Sequence, residues 1–480
     1  MTFRAKTLIA ASLVFISTNA FAVPVSTNGL VSLRYQTGEN LTILDPQVKY
    51  PDAGFAAAYL MPGLEVNQGG LVSGTLELYT GELSPRTFAS DSLDLYGVEN
   101  VNDYFNDTYF VRQAYADFKP VESIHIDAGQ QAVVGGSRLL FYNYQPAITF
   151  DFNMIDSMDV PLSLALKVVK VEPYKLYDPA RTSMFYDAEL SYSFSLFEYV
   201  KVFYANFQDT DNTLVPVLND AVFYSFYNRN AYNELVSKYG RARADMIIAA
   251  LERSYNAGGP VHTSTSSINW MGITGDRYFG MFEINFTGIL ETGDSTISGN
   301  NVFQSSGTFT RHFNTYGYLA DAKLKYHVGG KAVFGLFFNL SSGDKTPLEA
   351  VVTQGTLNSF ISVFPYNTES TLFFQGGINQ NLNAGSMEFA GRRGLGVEAY
   401  GGIIDVYPIR SIELTVTPLL IYPEMTDNAY GFETDATCTY LLNRYVSFPF
   451  EWDWFAPGNY FNSLNLSNVY QVLFGADVQW

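Results

Sequence analysis

Apolar and polar residues alternate along most of the chain, and this alternation constrains the fold more than any other feature. In the stretch 279–290, FGMFEINFTGIL, the residues Phe282, Ile284 and Phe286 alternate with Glu283, Asn285 and Thr287. The same period of two recurs in 162–168, 320–328, 412–417 and 472–480. Successive side chains of a strand point to opposite faces, so the pattern predicts many strands, each with one apolar face.

The links between the predicted strands differ in length in a regular way. Tight turns are predicted near 68–70, 119–123, 157–161, 195–198, 275–277, 328–331, 407–410 and 443–444. Long polar links are predicted between them, at about 81–107, 132–146, 173–182, 209–263, 291–314, 342–391, 424–431 and 455–467. A soluble β-sandwich has no reason to sort its links by length, whereas an outer-membrane barrel has short periplasmic turns and long extracellular loops.

These links delimit about 18 strands, so the sequence predicts an all-β fold: a closed antiparallel transmembrane β-barrel. The first strand is expected at about 28–36 and the last at about 468–480. Lipid cannot satisfy a free sheet edge, so these two strands must pair, with the last strand meeting the first near 30–35. In the last strand Val472, Phe474, Ala476, Val478 and Trp480 share the face expected to meet lipid, and only Leu473 is out of pattern.

Composition agrees with a barrel in the envelope of a Gram-negative bacterium. The chain has 34 Tyr and 38 Phe but only 28 Lys and Arg, its formal net charge is −19, and it has one cysteine, Cys438. Aromatic residues near predicted strand ends suggest interfacial girdles: Tyr199, Tyr204, Tyr278, Phe279, Tyr326, Tyr407 and Tyr422. So acidic a chain is a poor binder of nucleic acid, and one cysteine excludes a disulfide framework.

The first 22 residues are typical of a cleaved signal peptide. Arg4 and Lys6 precede a short apolar stretch, and Ala20-Phe21-Ala22 matches a small-residue cleavage site. The mature barrel is therefore expected to cover 23–480. Within it, 231–253 has helical spacing of its apolar residues. This insert is interpreted either as a lid or plug at the pore or as an ordered part of an outer loop.

Two blocks of the sequence resemble the alginate export family of outer-membrane barrels. The stretch 111–140, VRQAYADFKPVESIHIDAGQQAVVGGSRLL, resembles that family's R-x-A-Y, turn and G-R-Q signature. FFNLSSGDKTP and NSFISVFPYNT resemble its S-G-D and downstream F-x-x-L-F-P motifs, placing Ser342, Gly343, Asp344, Phe360 and Pro365 at motif positions. The chain departs from the family at Gln130, where the family has arginine, and at Val363, where it has leucine.

The resemblance implies a porin-like channel, conducting or exporting an anionic polysaccharide such as alginate or related solutes. The alternatives are a general diffusion porin and a surface barrel closed by its loops, with a role in adhesion or envelope integrity. Fold transfers between relatives more securely than substrate does. The acidic composition contrasts with the basic pore that a polyuronate would need.

Polar faces of the predicted strands supply candidates for the pore lining, because charges along a lumen decide which solutes pass. They are Arg112, His125, Asp127, Lys167, Glu283, Asp321, Lys323, Lys325, Glu413 and Asp477. Lys167, Lys323 and Lys325 are interpreted either as part of a cationic ladder or as wall charges neutralised by neighbouring carboxylates. Arg112 matches the family motif, but Gln113 and Asp117 lie on the face assigned to lipid, and a β-bulge would reconcile the two.

Other candidates concern partners rather than the lumen. Arg392 and Arg393 suit either anions at the pore mouth or lipopolysaccharide phosphates. The acidic stretch 82–107 suits solvated loops better than calcium, since it lacks the spacing of a calcium loop. The four histidines match no catalytic motif, so no enzyme activity and no cofactor is expected. The expected partners are outer-membrane lipids, lipopolysaccharide, and barrel assembly machinery that recognises Trp480.

Overall fold

The structure is a computed structural model, and its wall is built from strands in the order predicted. It describes residues 25–39, 55–68, 71–79, 110–171, 183–210, 215, 236–237, 240–242, 244–246, 249, 261–300, 308–344, 355–363, 370, 372–373, 388–389, 394–460 and 468–480. The signal-peptide prediction, the acidic stretch 82–107, Pro365, Arg392 and Arg393 lie outside these residues and stay predictions.

Eighteen strands of the described chain form one antiparallel wall, which confirms the predicted count and fold class. They are β1 Val25–Glu39, β2 Phe55–Gln68, β3 Val72–Tyr79, β4 Phe110–Val121, β5 Ile124–Gly135, β6 Phe141–Asn153, β7 Leu162–Val171, β8 Ser183–Ser193, β9 Tyr199–Asp209, β10 Val261–Phe279, β11 Phe282–Asn300, β12 Thr308–Val328, β13 Ala332–Ser341, β14 Val397–Ile409, β15 Ile412–Tyr422, β16 Gly431–Asn443, β17 Val446–Pro457 and β18 Val469–Gln479.

The wall closes where β18 pairs with β1. The register runs from Leu30 opposite Gln479 to Glu39 opposite Tyr470, which confirms the predicted pairing of the last strand with 30–35. A closed barrel is the β architecture that leaves no strand edge in lipid, and it places the chain in the bacterial outer membrane.

The two faces of the wall have opposite chemistry. Large apolar side chains are exposed on the outside, among them Leu33, Ile148, Leu166, Leu290 and Leu336. On β18 the side chains of Phe474, Val478 and Trp480 are about half exposed on this face. Leu473 points inward and is fully buried, so the residue that broke the sequence pattern is part of the interior. Outward apolar and inward polar residues are the pattern of a membrane barrel.

Several predicted links are wrong in their bounds. Residues 275–277 lie inside β10, and the turn is at 280–281, because Gly275 fits in the strand against the ring of Phe286. The link predicted at 132–146 is only 136–140, and the one predicted at 291–314 is only 301–307. β11 and β12 have 19 and 21 residues, more than the about 9–11 that cross a bilayer, so their polar ends extend beyond it. A further long link at 40–54, between β1 and β2, was not predicted.

A β-bulge in β4 corrects the predicted face of two residues. The register with β3 shifts at Arg112, between the pairs Glu77–Gln113 and Leu78–Val111. Gln113 donates to Glu77 and Asp117 accepts from Ser73, on the inward face. The assignment of Gln113 and Asp117 to the lipid face is therefore wrong, and the bulge that could reconcile Arg112 with them is present.

Helical structure is minor in the described chain. Helix α1, Met154–Met158, lies in the short link between β6 and β7. In the predicted insert 231–253, the residues 236–237, 241–242, 244–246 and 249 are helical, and the N–H of Ala244 donates to the carbonyl of Gly240 at 3.0 Å. Within the described residues, no helix is both long enough and apolar enough to span a bilayer.

The girdle prediction holds for some aromatic residues and fails for others. Tyr204, Phe279 and Tyr326 are exposed on the outward face. Tyr199, Tyr278 and Tyr407 instead share the inward parity of Lys201, Asp276 and Asp405. Nearness to a strand end does not decide the face, because the period of two assigns neighbouring residues to opposite sides.

Candidate functional site

Parts of the long link between β13 and β14 fold into the interior of the barrel. We call residues 355–363, 370 and 372–373 the inserted segments. Thr356–Leu357 pairs in parallel with Asn314–Thr315 of β12, above the point where β13 ends. Phe360, Ile361 and Val363 are buried in an apolar cluster with inward-facing residues of β5–β12, including Phe203 and Trp270. The lumen is therefore narrowed by the chain's own loop.

A carboxylate of β11 holds the first inserted segment. Glu291 is 2% exposed, and its Oε2 accepts the backbone N–H of Ile361 at 2.7 Å. Trp270 Nε1 donates to the same oxygen at 3.3 Å and to the carbonyl of Ile361 at 3.1 Å. A buried loop backbone needs such partners, because each unmatched polar group costs about 1–3 kcal/mol.

A carboxylate of β16 holds the second inserted segment. Glu433 is fully buried and accepts the backbone N–H groups of Leu372 at 2.8 Å and of Phe373 at 3.0 Å. The hydroxyl of Ser370 donates to both oxygens of this carboxylate at 3.0 Å. Leu372 and Phe373 pack in a second apolar cluster, on the inward face of β13–β18, with Tyr430 and Phe455. The two anchors lie five strands apart, so the two inserted segments contact different parts of the wall.

The S-G-D motif forms the base of this loop. Ser342 exchanges hydrogen bonds with Tyr318 of β12, and its carbonyl accepts the N–H of Phe360 at 3.0 Å. Asp344 Oδ2 accepts the backbone N–H of Asn358 at 3.2 Å. The Gly343 N–H donates to Glu424 Oε2 at 3.3 Å. These motif residues, together with Phe360, position the inserted segments.

A buried ionic network on β7–β9 holds a second part of the interior. Lys167 Nζ donates to Glu189 at 2.7 Å and to Asp187 at 3.2 Å, and Lys201 lies 3.1 Å from Glu189. Gly136 donates its N–H to both carboxylates, at 3.1 Å to Asp187 and 3.0 Å to Glu189. Gly136 has a φ of +61°, a conformation that glycine adopts without the strain of a side chain.

This network reaches the inserted segments through the link 136–140. The carbonyl of Leu140 accepts the N–H of Val363 at 2.9 Å. Leu140 and Phe141 are fully buried in the same apolar cluster as Phe360. Two links from the long-loop side of the barrel thus meet inside it, and the ionic network and the Glu291 anchor support one interior structure.

Five of the 18 strands form an acidic part of the inward face, and the rest of the inward face is mixed in charge. Strands β14–β18 contain no Lys, Arg or His, while their inward positions carry Asp405, Glu413, Glu433, Asp435, Glu451, Asp453 and Asp477. Asp435 and Asp453 stand opposite each other in register. β7 and β16 are separated by half of the 18-strand ring, so Lys167 and Lys201 lie across the barrel from this acidic wall.

The predicted pore-lining residues other than Arg112 share the inward face, and most have partners there. Lys325 Nζ donates to Glu283 at 2.9 Å, and His327 Nε2 lies 2.7 Å from the same carboxylate. Asp127 accepts from Thr149 at 3.4 Å, and Asp321 accepts from Asn339 at 3.3 Å. In register, His125 lies opposite Asp151, Lys323 opposite Asn285, and Asp477 opposite Ser447.

The remaining predicted positions fall in different environments. Glu413 Oε1 accepts from Tyr407 at 3.4 Å on the acidic wall. Gln130 has the outward parity of β5 and donates to the carbonyl of Tyr144 at 2.9 Å. Arg112 lies at the β-bulge of β4. Whether any of these residues affects conduction stays a prediction.

Sequence reasoning missed the residues that organise the interior. Glu291 and Glu433 interrupt otherwise weakly charged strand segments, and Trp270 is one of four tryptophans, yet nothing local distinguishes them from other inward residues. Their role depends on loop contacts 60 to 91 residues away in sequence. Among the described residues, no group of His, Cys, Asp or Glu is arranged to hold a metal ion.

Comparison with known proteins identifies the fold. No protein-family model and no curated protein matches the chain. The structure is similar to Pseudomonas aeruginosa OccK1 (OpdK), with a TM-score of 0.52, 8% identity, and coverage of 95% of this chain and 98% of the other. It is also similar to Pseudomonas aeruginosa OccK2 (OpdF) in complex with glucuronate, with a TM-score of 0.51, 8% identity, and coverage of 95% and 97%. The chain therefore has the fold of these outer-membrane porins, and nothing in the comparison points to alginate export.

Proposed function

We propose that the chain is a diffusion channel for small hydrophilic solutes that favours cations over anions. The observation that carries the proposal is the acidic wall of β14–β18, whose inward positions hold carboxylates and whose strands contain no basic residue. Charges that line a pore with walls of low dielectric constant concentrate ions of the opposite sign inside the pore. Three lysines on other strands do not offset the charge of this wall, because Lys167, Lys201 and Lys325 are each paired with a carboxylate.

The size limit follows from the inserted segments. Ile361 and Phe373 are held by buried carboxylates of β11 and β16, five strands apart around the wall. A channel narrowed by its own loop suits small solutes better than a polymer chain. Pseudomonas aeruginosa OccK2 holds glucuronate and OpdK holds vanillate, both small organic acids. The cation preference proposed here comes from this chain's own inward residues and differs from the charge of those two molecules.

Export of an anionic polysaccharide such as alginate is the less favoured proposal. It rests on the motif resemblance, and the motif residues that the structure describes support the inserted segments. A free cationic ladder would be its physical requirement, whereas Lys167 and Lys325 each contact a carboxylate within 3 Å. Anion preference would be the result that revives it.

One observation favours a second candidate, a barrel closed by its loops. Both inserted segments are packed in apolar clusters, and Phe360, Ile361 and Val363 are at most 1% exposed. Such packing would also suit a surface protein with a role in adhesion or envelope integrity. This candidate predicts no steady current.

Recordings in planar bilayers distinguish the cation-preferring channel, the exporter of an anionic polysaccharide and the closed barrel. The purified protein is reconstituted, and the zero-current potential is measured under a KCl gradient. A diffusion channel with an acidic wall gives stepwise openings and a potential of the sign set by K⁺. A potential of the opposite sign contradicts the proposal in favour of anion transport. Absence of openings, with heat-modifiable migration on a detergent gel showing a folded barrel, contradicts any channel function.

A further inference from the structure

Three consecutive short links expose large apolar side chains at one sector of the rim. Met158 is 63% exposed in the β6–β7 link, Leu196 and Phe197 are 95% and 75% exposed in the β8–β9 link, and Met281 is 45% exposed in the β10–β11 link. We call these four residues the apolar rim. Short links of an outer-membrane barrel face the periplasm. Apolar side chains so exposed mark a surface that something covers.

Three other short links on the same side carry charged tips. These are Glu122, Lys331 and Arg410, in the links β4–β5, β12–β13 and β14–β15. Leu71 of the β2–β3 link and Tyr445 of the β16–β17 link are also exposed, at 53% and 45%. Within the described residues, the sector β6–β11 is distinguished by three consecutive short links that all expose large apolar side chains.

The β8–β9 link is held in a defined conformation. The N–H of Phe194 donates to the carbonyl of Glu198 at 2.8 Å, and the N–H of Tyr278 donates to Glu198 Oε1 at 3.0 Å. That bond from Tyr278, aided by the nearby Arg277, lowers the pKa of the Glu198 carboxyl. The guanidinium of Arg277 lies 3.7 Å above the ring of Phe194 and 3.4 Å from Glu198. Leu196 and Phe197 are thus presented by a braced turn.

The apolar rim continues the lipid-facing surface without a break. Phe194 and Phe279 are about half exposed at the ends of the outward faces of β8 and β10, and Phe194 packs on Tyr192 with ring centroids 4.7 Å apart. Phe282, the first residue of β11, packs on Tyr326 at 5.1 Å. Aromatic rings at this position mark the edge of the hydrocarbon layer. In this sector the girdle therefore reaches the last residues of the strands.

Distance places the apolar rim within the headgroup layer. Leu196 and Phe197 follow Phe194 by two and three residues, so they lie within about 7–10 Å of the girdle even if the chain were extended. The turn shortens that distance. The polar layer of each leaflet is about 5–8 Å thick, the difference between whole bilayer and hydrocarbon core.

We propose that the apolar rim binds the phospholipids of the inner leaflet of the outer membrane. Leu196 and Phe197 reach back into the acyl region, Met158 and Met281 extend the contact on either side, and Arg277 lies at the level of the phosphates. Continuity with the lipid-facing girdle favours lipid over a periplasmic protein or a second copy of the chain. The proposal does not depend on what the barrel conducts.

Site-specific fluorescence tests the proposal. In a Cys438→Ala background, Leu196→Cys carries an environment-sensitive label such as NBD. Lys331→Cys, at the tip of the β12–β13 link on the same rim, is the matched control. Each protein is reconstituted in vesicles of phosphatidylethanolamine and phosphatidylglycerol, with iodide on both sides of the membrane or with phospholipid carrying a doxyl quencher near the headgroup. Heat-modifiable migration verifies folding of both variants.

The expected result is a shift of the label at 196 to shorter wavelength, quenching by doxyl lipid and protection from iodide. The label at 331 should show the reverse. Equal access of iodide to both positions, with no quenching by doxyl lipid at 196, overturns the proposal. Protection from both quenchers at 196 also overturns it, because the surface is then covered by protein.

Discussion

Gly29 and Trp480 pair across the seam of the barrel, each donating its N–H to the carbonyl of the other, at 3.3 and 3.2 Å. The indole ring lies directly over the α-carbon of Gly29, so that a β-carbon there would overlap it. Trp480 is 48% exposed on the outward face. A glycine at this position therefore lets Trp480, the residue after β18, lie flat on the first strand.

Replacing Gly29 should impair closure of the barrel. We expect Gly29→Ala to displace the indole and to destabilise the seam by about 1–3 kcal/mol, as overpacking usually does. The folded fraction in outer membranes, measured by heat-modifiable migration, should fall. Gly74→Ala is the matched control, because a β-carbon at Gly74 meets no atom within 4 Å. Equal folded fractions for the two variants would contradict the expected role of the glycine.

Deletion of Trp480 is the companion experiment. The sequence predicts that assembly machinery recognises this residue, so its loss should reduce the amount inserted in cells more than it changes conductance of the protein that folds. Refolding in detergent without the machinery provides the control. If the deletion variant folds as poorly in detergent as it does in cells, Trp480 contributes to the stability of the seam and not to recognition by the assembly machinery.

Neutralising Glu433 should free the second inserted segment. The carboxylate accepts bonds from Leu372, Phe373 and Ser370, and bonds to a charged group contribute about 1.5–3 kcal/mol each. We expect Glu433→Gln to raise the mean conductance and the current noise in planar bilayers, since the segment no longer holds one position. Glu398→Gln is the control, because Glu398 lies on the outward face of β14. This variant should leave the mean conductance and the current noise unchanged. Unaltered current in Glu433→Gln would mean that the segment does not limit passage.

The sequence predicted the wall well and the interior poorly, for a physical reason. Alternation in segments such as 412–417 indicates that one face of the strand meets lipid. This property is local, so it can be predicted for each strand separately. Strand count, closure near Leu30 and the face of Phe474 follow from it. The sequence prediction is wrong where the polarity of a residue does not match its position in a strand. The polar residues 291–300 are the end of β11 rather than a loop, and the bulge at Arg112 places Gln113 and Asp117 on the inward face.

The inserted segments could not be predicted from alternation. Ile361 and Glu291 are 70 residues apart, and their contact depends on how the whole link folds over the barrel mouth. The S-G-D resemblance places Ser342 at a motif position. The inward course of the chain after β13 follows only from the three-dimensional register, in which β12 extends beyond β13 and pairs with Thr356–Leu357. Motif resemblance located the region and did not identify its task.

Removing the charge of Lys167 should weaken the interior. Its amine contacts Asp187, Glu189 and the carbonyl of Val134, and its side chain is 13% exposed. Breaking a buried ion pair by removing one partner costs about 3–5 kcal/mol, because the other charge stays buried. We expect Lys167→Met to lower the temperature at which the folded band is lost on detergent gels. Lys331→Met, at an exposed turn, should not. A change no larger than that of the control would show that water or a neighbour replaces the amine.

The acidic wall should set ion preference through its more accessible carboxylates. Asp405 and Glu413 are partly exposed on the inward faces of β14 and β15, where Asp405 accepts from Thr415 at 2.8 Å. A unit charge 4 Å from an ion interacts with it by about 1 kcal/mol in bulk water, so two neutralised carboxylates should lower the cation-to-anion permeability ratio by about several-fold. The zero-current potential of Asp405→Asn/Glu413→Gln measures this under a KCl gradient. Glu198→Gln, at an exposed periplasmic turn, is the control, since salt screens a charge outside the lumen. If the double variant keeps the ratio of the unmodified protein, the acidic wall does not govern selectivity, and the charges that do must lie elsewhere along the passage.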